Sequence, residues 1–257
     1  MQSDDPLAHS PLVEQAYWDT AYDTMPPGIA ATDDPVRRWL EASIPQTSGT
    51  QHCLEVGCYP GRYLAVLARS GYVVHGVDLT PAIARIPSAF AAEGYQVGRF
   101  EQVDFLAHQF DRTYDLVCSF GFIEHFTQWR EVLAKHGELV APGGLLVVET
   151  PNFRGWVQQL FHRWIDGINT RRHHLPAMAP ETWAAIARTQ GFEVIQAGYL
   201  GRFDLWTDTP VTTWWQRMGY RFLALTTPLW KRFGSGRAAT APYCILIARR
   251  IGPGQSR

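Results

Sequence analysis

Apolar positions between residues 50 and 150 fall in short runs that alternate with segments of helical spacing. The first three runs are followed directly by Gly57, Asp78 and Asp104, which are typical residues after buried strands. Strands that alternate with helices in this way favour a doubly wound, parallel α/β sheet. The predicted strands span 53–56, 72–77, 100–103, 114–118 and 145–149, and the predicted helices span 62–69, 81–93 in part, and 129–139.

The regions on either side of this core have other patterns. At the N-terminus, residues 1–10 are polar and acidic and predict disorder, residues 11–24 predict an aromatic helix, and residues 35–43 predict a short helix that begins at an Asp-Pro pair. Towards the C-terminus we predict a helix over 182–190, strands over 192–197 and 241–249, and an aromatic-rich insertion over 201–235.

From these elements we expect two parts in the chain, a helical cap over residues 1–45 and one α/β domain over 46–257. Within the domain, segments 151–180 and 198–240 carry no recognisable motif. We expect them to form the variable substrate region and a lid.

Composition fits a single large domain, because 257 residues with 46% hydrophobic content can bury a full core. The 23 Lys and Arg nearly balance the 24 Asp and Glu, and no block of like charge occurs, which argues against a nucleic-acid partner. The four cysteines are scattered, so we expect a reducing cytoplasm and neither a disulfide framework nor a zinc site. No signal-peptide pattern or long apolar run is present, so we expect a soluble protein. The oligomeric state stays open.

The most informative segment is the glycine turn that joins the first strand to the first helix, LEVGCYPGRYL over residues 54–64. Gly57 and Gly61 allow unusual backbone angles and a close approach of a ligand to the main chain. Asp78 ends the second strand, where a carboxylate can accept both hydroxyls of a ribose. Asp104 ends the third strand beside Phe105, which suits an adenine amine and an adenine ring. Three successive strand ends therefore predict one adenosine site, although each acid alone also fits a helix cap or a turn.

The glycine turn separates two adenosine-containing cofactors. A dinucleotide requires three glycines at fixed spacing, and the second lets the backbone approach the pyrophosphate. Tyr59 occupies that second position here, and the third glycine is absent. S-adenosylmethionine has no phosphates and demands less of the turn, so the spacing disfavours a nicotinamide-dependent reductase.

At this point the chain resembles the class I S-adenosylmethionine-dependent methyltransferases, in particular their small-molecule branch. The resemblance rests on LEVGCYPG (54–61), YVVHGVDLT (72–80), VDF (103–105), YDLVCSFGFIEHF (114–126) and LVAPGGLLVVETPN (139–152). It implies a Rossmann-like sheet of seven strands with an antiparallel last strand. It also implies that S-adenosylmethionine is the cofactor and that a methyl group passes to an oxygen or nitrogen of a small molecule.

The resemblance also implies a set of cofactor-binding residues. Glu55 and Gly57 would lie by the methionine part, and Asp78 would hold the ribose. Tyr59 departs from the family's usual glycine, so it covers the cofactor or faces the substrate. The full expected set is Glu55, Gly57, Cys58, Tyr59, Gly61, Asp78, Leu79, Asp104, Phe105, Phe120 and Gly121.

Methyl transfer is chiefly a problem of alignment and desolvation, and a base is needed only where the acceptor carries a proton. His125, just past the fourth strand, is the first candidate for that base, with a hydrogen-bonding role in the cofactor pocket as the alternative. His173 and His174 are further candidates on the substrate side, or plain surface residues. No set of metal ligands stands out at matched spacing, so no metal is expected.

Three other residues are candidates for binding the acceptor. Tyr17 and Trp18 lie on the aromatic N-terminal helix, which can fold over the site or pack as ordinary core. Asn152 follows the fifth strand, where it would orient the acceptor or form a turn. A second hypothesis for the whole chain is a non-catalytic binding or scaffold protein of the same fold, since fold alone does not settle function.

The insertion mixes tryptophans with arginines over residues 212–233. Such an amphipathic pattern is typical of a membrane surface helix, and it suits a substrate lid or a dimer contact equally well.

Overall fold

Seven strands form one mixed sheet in the order β3-β2-β1-β4-β5-β7-β6 in the computed structural model, which describes residues 12–207 and 210–252. The predicted disorder of residues 1–10 lies outside these described residues. Strand β7 runs antiparallel to β5 and β6, and the remaining pairs are parallel, which confirms the predicted fold. The strands are β1 (His52–Val56), β2 (Val73–Asp78), β3 (Val97–Gln102), β4 (Tyr114–Phe120), β5 (Val140–Pro151), β6 (Phe192–Leu200) and β7 (Tyr243–Arg250).

Helices cover both faces of the sheet, because the parallel strands are joined by crossovers. Helices α2, α3 and α4 bury apolar side chains on one face, whereas α5 and α8 do so on the other. The helices are α1 (Gln15–Tyr22), α2 (Pro35–Ser43), α3 (Leu64–Arg69), α4 (Ile86–Ala92), α5 (Trp129–Glu138), α6 (Trp156–Ile165), α7 (Gly167–Arg171), α8 (Pro180–Thr189) and α9 (Trp214–Lys231), with 3-10 turns at Pro81–Arg85, Ile123–His125 and Leu175–Ala177.

The start of α2 illustrates how local chemistry sets these boundaries. Asp34 accepts hydrogen bonds from the backbone N–H groups of Val36 and Arg37 at 2.8 and 3.0 Å, and Pro35 takes the first helical position. The predicted helix over 35–43 therefore has the observed bounds.

The variable segments are more helical than the sequence indicated. Helices α6 and α7 occupy the segment after β5, where the apolar spacing gave no prediction, and α9 occupies much of the insertion. Helices α6 and α9 pack on each other around Phe161, Ile165, Phe203 and Leu223, a third apolar cluster outside the sheet core. Within the described residues, no helix is long and apolar enough to cross a membrane.

Candidate active site

The carboxyl ends of β1, β2 and β3 enclose one hollow of about 160 Å³. Gly57, Asp78 and Asp104 line it together, with the apolar side chains of Leu79 and Phe105 between them. The sheet order places β1, β2 and β3 side by side, and in parallel strands these ends meet at one edge. Residues that are 47 positions apart in sequence (57 to 104) therefore face a single cavity.

Main-chain hydrogen bonds hold the glycine turn against the end of β2. The N–H groups of Gly57 and Cys58 donate to the Val77 carbonyl at 2.9 and 3.2 Å. The Asp78 carboxylate in turn accepts from the N–H groups of Tyr59 (2.9 Å) and Thr80 (3.0 Å). Because two backbone donors fix its position, this carboxylate can receive a ligand without reorganisation. Burial raises the pKa of Asp78, while the same backbone hydrogen bonds lower it.

A second hollow continues from the first along the glycine turn. Glu55, Cys58 and Gly61 line it, and Tyr59 borders both hollows. The Glu55 carboxyl is 4% exposed and its Oε2 atom has no hydrogen-bond partner in the protein. Burial and the nearby Asp78 raise the pKa of Glu55 well above its usual value, which favours the neutral carboxyl, whereas a cationic ligand group beside it would favour the carboxylate.

Tyr59 stands where the resembling family usually has a glycine. Its side chain turns into the protein. Its ring packs 5.1 Å from that of Tyr22, and its hydroxyl donates to the carbonyl oxygen of Met25. Only 3% of the side chain is exposed. The tyrosine therefore ties the N-terminal segment to the glycine turn and leaves the Tyr59 N–H free to hold Asp78.

Helix α1 lies across both hollows. Trp18 and Tyr22 line the first hollow, and the Trp18 ring lies 5.1 Å from the His125 ring. Tyr17 does not line the first hollow, and the Arg172 guanidinium lies 3.8 Å from its ring centre. The aromatic N-terminal helix thus covers the strand ends and joins the loop after α7.

A larger cavity of about 520 Å³ adjoins the first hollow beneath α1. His125 borders both spaces, and His173 lines only the larger one. The other lining groups are a ring of aromatic and acidic side chains from distant segments. They include Tyr17, Trp18, Tyr63, Phe153, Trp206, Tyr243, Asp34, Glu124 and Glu149.

Backbone carbonyls fix the protonated nitrogen of both histidines. Nδ1 of His125 lies 3.0 Å from the Arg172 oxygen, and Nδ1 of His173 lies 2.8 Å from the Asn169 oxygen. A carbonyl oxygen only accepts, so these contacts favour the tautomer with the proton on Nδ1 and a lone pair on Nε2. Burial lowers the pKa of His125 to about 3 and that of His173 to about 4. Both rings are therefore neutral near pH 7.

Glu124 joins the two histidines in one buried cluster. Its Oε1 lies 3.9 Å from His125 Nε2, and its Oε2 has no hydrogen-bond partner in the protein. One ligand atom from each of Glu124, His125 and His173 falls within 4.8 Å of the others, a set of residue types that also holds metal ions. Sequence spacing does not mark this set because His173 is distant from Glu124 and His125 in the chain, and the expected absence of a metal stays a prediction.

Two of the candidate residues lie elsewhere. The Asn152 side-chain amide donates to the Ala238 and Ala241 carbonyls, each at 2.9 Å, and its oxygen accepts from the Gly155 N–H at 3.0 Å. Asn152 thus organises a turn and has no free group for an acceptor. His174 lies outside the residues that line the large cavity, and its backbone N–H donates to the Glu124 carbonyl at 2.7 Å. These positions agree with the alternative interpretations from the sequence, a turn residue for Asn152 and a residue outside the substrate cavity for His174.

Sequence reasoning also missed several lining residues. Glu149 lies within β5, and Tyr243 begins β7, two strands that pair with each other. Trp206 stacks on Tyr243 with ring centres 5.2 Å apart. No local spacing marks these residues as neighbours, because only the antiparallel pairing of β5 with β7 brings them together.

Gly57 has a positive φ of 68°, and an added Cβ would collide with the Phe122 ring. We expect Gly57→Ala to lower the free energy of unfolding by about 1–2 kcal/mol from the backbone alone, and by more as the Phe122 ring moves. Gly94→Ala is the matched control, since Gly94 has φ 78° and open space around it. Urea titrations of both variants measure the difference. Equal losses would show that Phe122 does not confine this turn.

Burial raises the pKa of Glu124 to about 8, from a usual value of 4.5. A raised carboxyl pKa means that stability is complete below pH 4.5 and is lost as the pH rises towards 8. Glu124→Gln has no charge to bury, so its stability advantage over the wild type should grow by about 4 kcal/mol across that range. Urea titrations at several pH values measure the gap. The exposed control Glu93→Gln should show no such growth, and a flat gap for Glu124→Gln would contradict the buried-carboxyl account.

Comparison with known proteins agrees with this geometry. A family model described as a methyltransferase domain matches residues 30–197, well over half of the chain. A curated relative, the ubiquinone biosynthesis O-methyltransferase of Leptothrix cholodnii, is 27% identical over 158 residues, which cover 59% of this chain and 66% of that protein. The match therefore spans slightly less than two thirds of the relative's length.

Solved structures share the fold. A putative methyltransferase from Bacillus halodurans has a TM-score of 0.58 at 16% identity, over 86% of this chain and all of that one. The [4+2]-cyclase SpnF has a TM-score of 0.56 at 17% identity, over 93% of this chain and 92% of that one. At these identities the structural similarity shows the fold alone. The family model, in contrast, covers both the glycine turn and the acids at the ends of β2 and β3. The predicted resemblance is confirmed, and the chain belongs to the methyltransferase domain family.

Proposed function

We propose that this protein transfers a methyl group from S-adenosylmethionine to an oxygen or nitrogen of a small-molecule acceptor. The observation that carries the proposal is the single hollow lined by Gly57, Asp78 and Asp104, which adjoins a second, larger cavity at His125. Family membership supports the same cofactor. One space then holds the methyl donor and the other the acceptor.

The residues of the two smaller hollows fit the proposed cofactor. Asp78 keeps acceptor capacity for two ribose hydroxyls, since a carboxylate offers about four lone-pair sites and two are used. Asp104 and Phe105 suit the adenine. The unpartnered Oε2 of buried Glu55 suits the ammonium of the methionine part, which would remove the cost of that charge.

When bound, S-adenosylmethionine supplies a methyl group activated by a sulfonium charge. The protein's part is to align the acceptor and exclude water. Trp18 and Tyr22 on α1 close the space above the strand ends, and we infer that residues 1–45 act as a cap on the domain formed by 46–257. His125 is the proposed base, because it borders both spaces. His173 is proposed to position the acceptor.

The larger cavity supports a compact acceptor with hydrogen-bonding groups. Its aromatic rings can stack on a flat or ring-shaped molecule, and its buried carboxyls Glu124 and Glu149 can bond to hydroxyl or amine groups. The name of the Leptothrix relative favours oxygen as the methylated atom.

A non-catalytic protein that binds the same cofactor is the second candidate. Tyr59 in the glycine turn favours it, and the occurrence of a [4+2]-cyclase on this fold means that the fold alone does not imply methyl transfer. The test is incubation of the protein with methyl-labelled S-adenosylmethionine and extracts fractionated by polarity, read by mass spectrometry. Transfer of label that requires His125 supports the enzyme. Cofactor binding without transfer of label to any fraction would support the non-catalytic binding protein instead.

A further inference from the structure

Helices α6 and α9 carry many large apolar side chains that are exposed, and we call this outer surface the α6–α9 face. Leu225 is 81% exposed, and Trp156, Trp214 and Trp215 are 62%, 60% and 55% exposed. The two neighbouring tryptophans stack on each other, with ring centres 4.0 Å apart, and so present one broad indole surface. The face consists of Trp156, Leu160, Trp214, Trp215, Met218, Phe222, Leu225, Leu229 and Phe233.

This exposure does not result from loose packing of α9. Its inner side is buried through Gly219 and Leu223, and an added Cβ at Gly219 would approach Ile165 to 2.9 Å. Thr213 and Gln216 form a capping box at its start, and the Gln216 amide donates to the Ile165 carbonyl at 2.9 Å. The helix is therefore docked firmly on α6 with a second apolar side left outward.

The charged side chains on α6 and α9 themselves have one sign. Arg163, Arg217, Arg221, Lys231 and Arg232 are exposed on or beside α6 and α9. Neither helix contains an aspartate or glutamate, and the sequence has none from residue 209 to the end. The chain as a whole has a net charge of −1, so positive charge is concentrated on this side.

We propose that the α6–α9 face binds the surface of an anionic phospholipid bilayer, with α9 lying in the plane of the interface. Tryptophans and leucines would enter the boundary between headgroups and acyl chains, while the flanking arginines meet lipid phosphates. Arginine also binds phosphate oxygens with two parallel hydrogen bonds. This proposal does not depend on the proposed function.

A second copy of the chain fits this face less well. A symmetric dimer would place the same surface on both partners and so would bring the basic groups of one copy, Arg217 and Arg221 among them, towards the basic face of the other. Like charges in such a contact repel, and no acid on either helix compensates for them. An anionic bilayer offers acyl chains to the apolar groups and lipid phosphates to the basic groups.

The test is flotation of the full chain with two kinds of vesicle, pure phosphatidylcholine and an equal mixture of phosphatidylcholine with phosphatidylglycerol. We expect flotation with the mixture, little with phosphatidylcholine alone, and loss of binding as salt is raised. Trp214→Ser, Trp215→Ser and Leu225→Ser combined should weaken binding about tenfold or more. Arg217→Gln with Arg221→Gln should weaken binding to the anionic vesicles about fivefold per residue.

Matched controls are Ile195→Ser, an apolar residue that is 53% exposed on β6, and Arg69→Gln with Arg188→Gln, which remove the same charge from α3 and α8. These variants should bind like the wild type, and circular dichroism should show that all variants stay folded. Absence of wild-type flotation with the anionic vesicles would overturn the proposal. Flotation of the triple variant equal to that of the wild type would also overturn it. So would a stable dimer in sedimentation that is disrupted by Leu225→Asp but not by the addition of vesicles.

Discussion

Replacing His125 by asparagine should lower kcat about 10²- to 10⁴-fold while S-adenosylmethionine binds nearly as well as to the wild type. The asparagine amide can still donate to the Arg172 carbonyl, as Nδ1 of His125 does, but it lacks the Nε2 lone pair. A positioned base contributes rate increases of that order where the acceptor carries a proton. Single-turnover measurement of methyl transfer, with cofactor affinity measured in parallel, separates the two effects.

The control for this variant is His174→Asn, since His174 follows His173 in the chain but lies outside the large cavity. It should leave kcat within about twofold of the wild type. The pH profile gives a second readout. Because burial lowers the pKa of His125 to about 3, the wild-type rate should not fall as the pH drops from 7 to 6. A His125→Asn enzyme with full kcat would contradict a role for His125 as base.

Asp78→Ala should weaken S-adenosylmethionine binding by about 1.5–3 kcal/mol, a factor of roughly 10 to 150. The alanine removes the carboxylate that would accept the ribose hydroxyls, and it also frees the N–H groups of Tyr59 and Thr80. Isothermal titration measures the loss. Asp111→Ala, which removes an exposed acid beyond β3, is the control and should bind normally.

The stability of Asp78→Ala distinguishes lost binding from lost folding. Burial raises the pKa of Asp78, which means that ionising this group in the folded protein is costly. Without ligand the variant should therefore unfold within about 1 kcal/mol of the wild type. Unchanged cofactor affinity, with the fold intact, would exclude Asp78 from the adenosine site.

Strands β1, β2 and β4 were predictable because they are buried on both faces and so form continuous apolar runs between turns. Strand β1 was expected over 53–56 and begins at His52, and β2 was expected over 72–77 and ends at Asp78. Strand β5 is much longer than the predicted 145–149, because it begins before two glycines that no apolar pattern marks. Helices α6 and α7 escaped prediction because their buried polar groups, Gln158 and Asn169, interrupt the apolar spacing.

The candidate site also has a part that the sequence predicts and a part that it does not. The cofactor residues follow strand ends, where fold and chain position coincide, so Gly57, Asp78 and Asp104 could be proposed from spacing alone. The acceptor cavity depends on segments far apart in sequence, such as the paired strands β5 and β7, and on contacts such as that of His125 with His173. Asn152 has the chemistry of a substrate ligand, but the nearby Ala238 and Ala241 carbonyls take its donors.

The central claim is that the ends of β1, β2 and β3 form one adenosine-shaped site for S-adenosylmethionine. Isothermal titration of the wild type with S-adenosylmethionine, and then with its demethylated product, tests this most directly when Asp78→Ala and Asp104→Ala are titrated alongside. The account predicts one site per chain, competition between the two ligands, and weaker binding in both variants. Absence of heat with either ligand, or binding that neither variant changes, would contradict it.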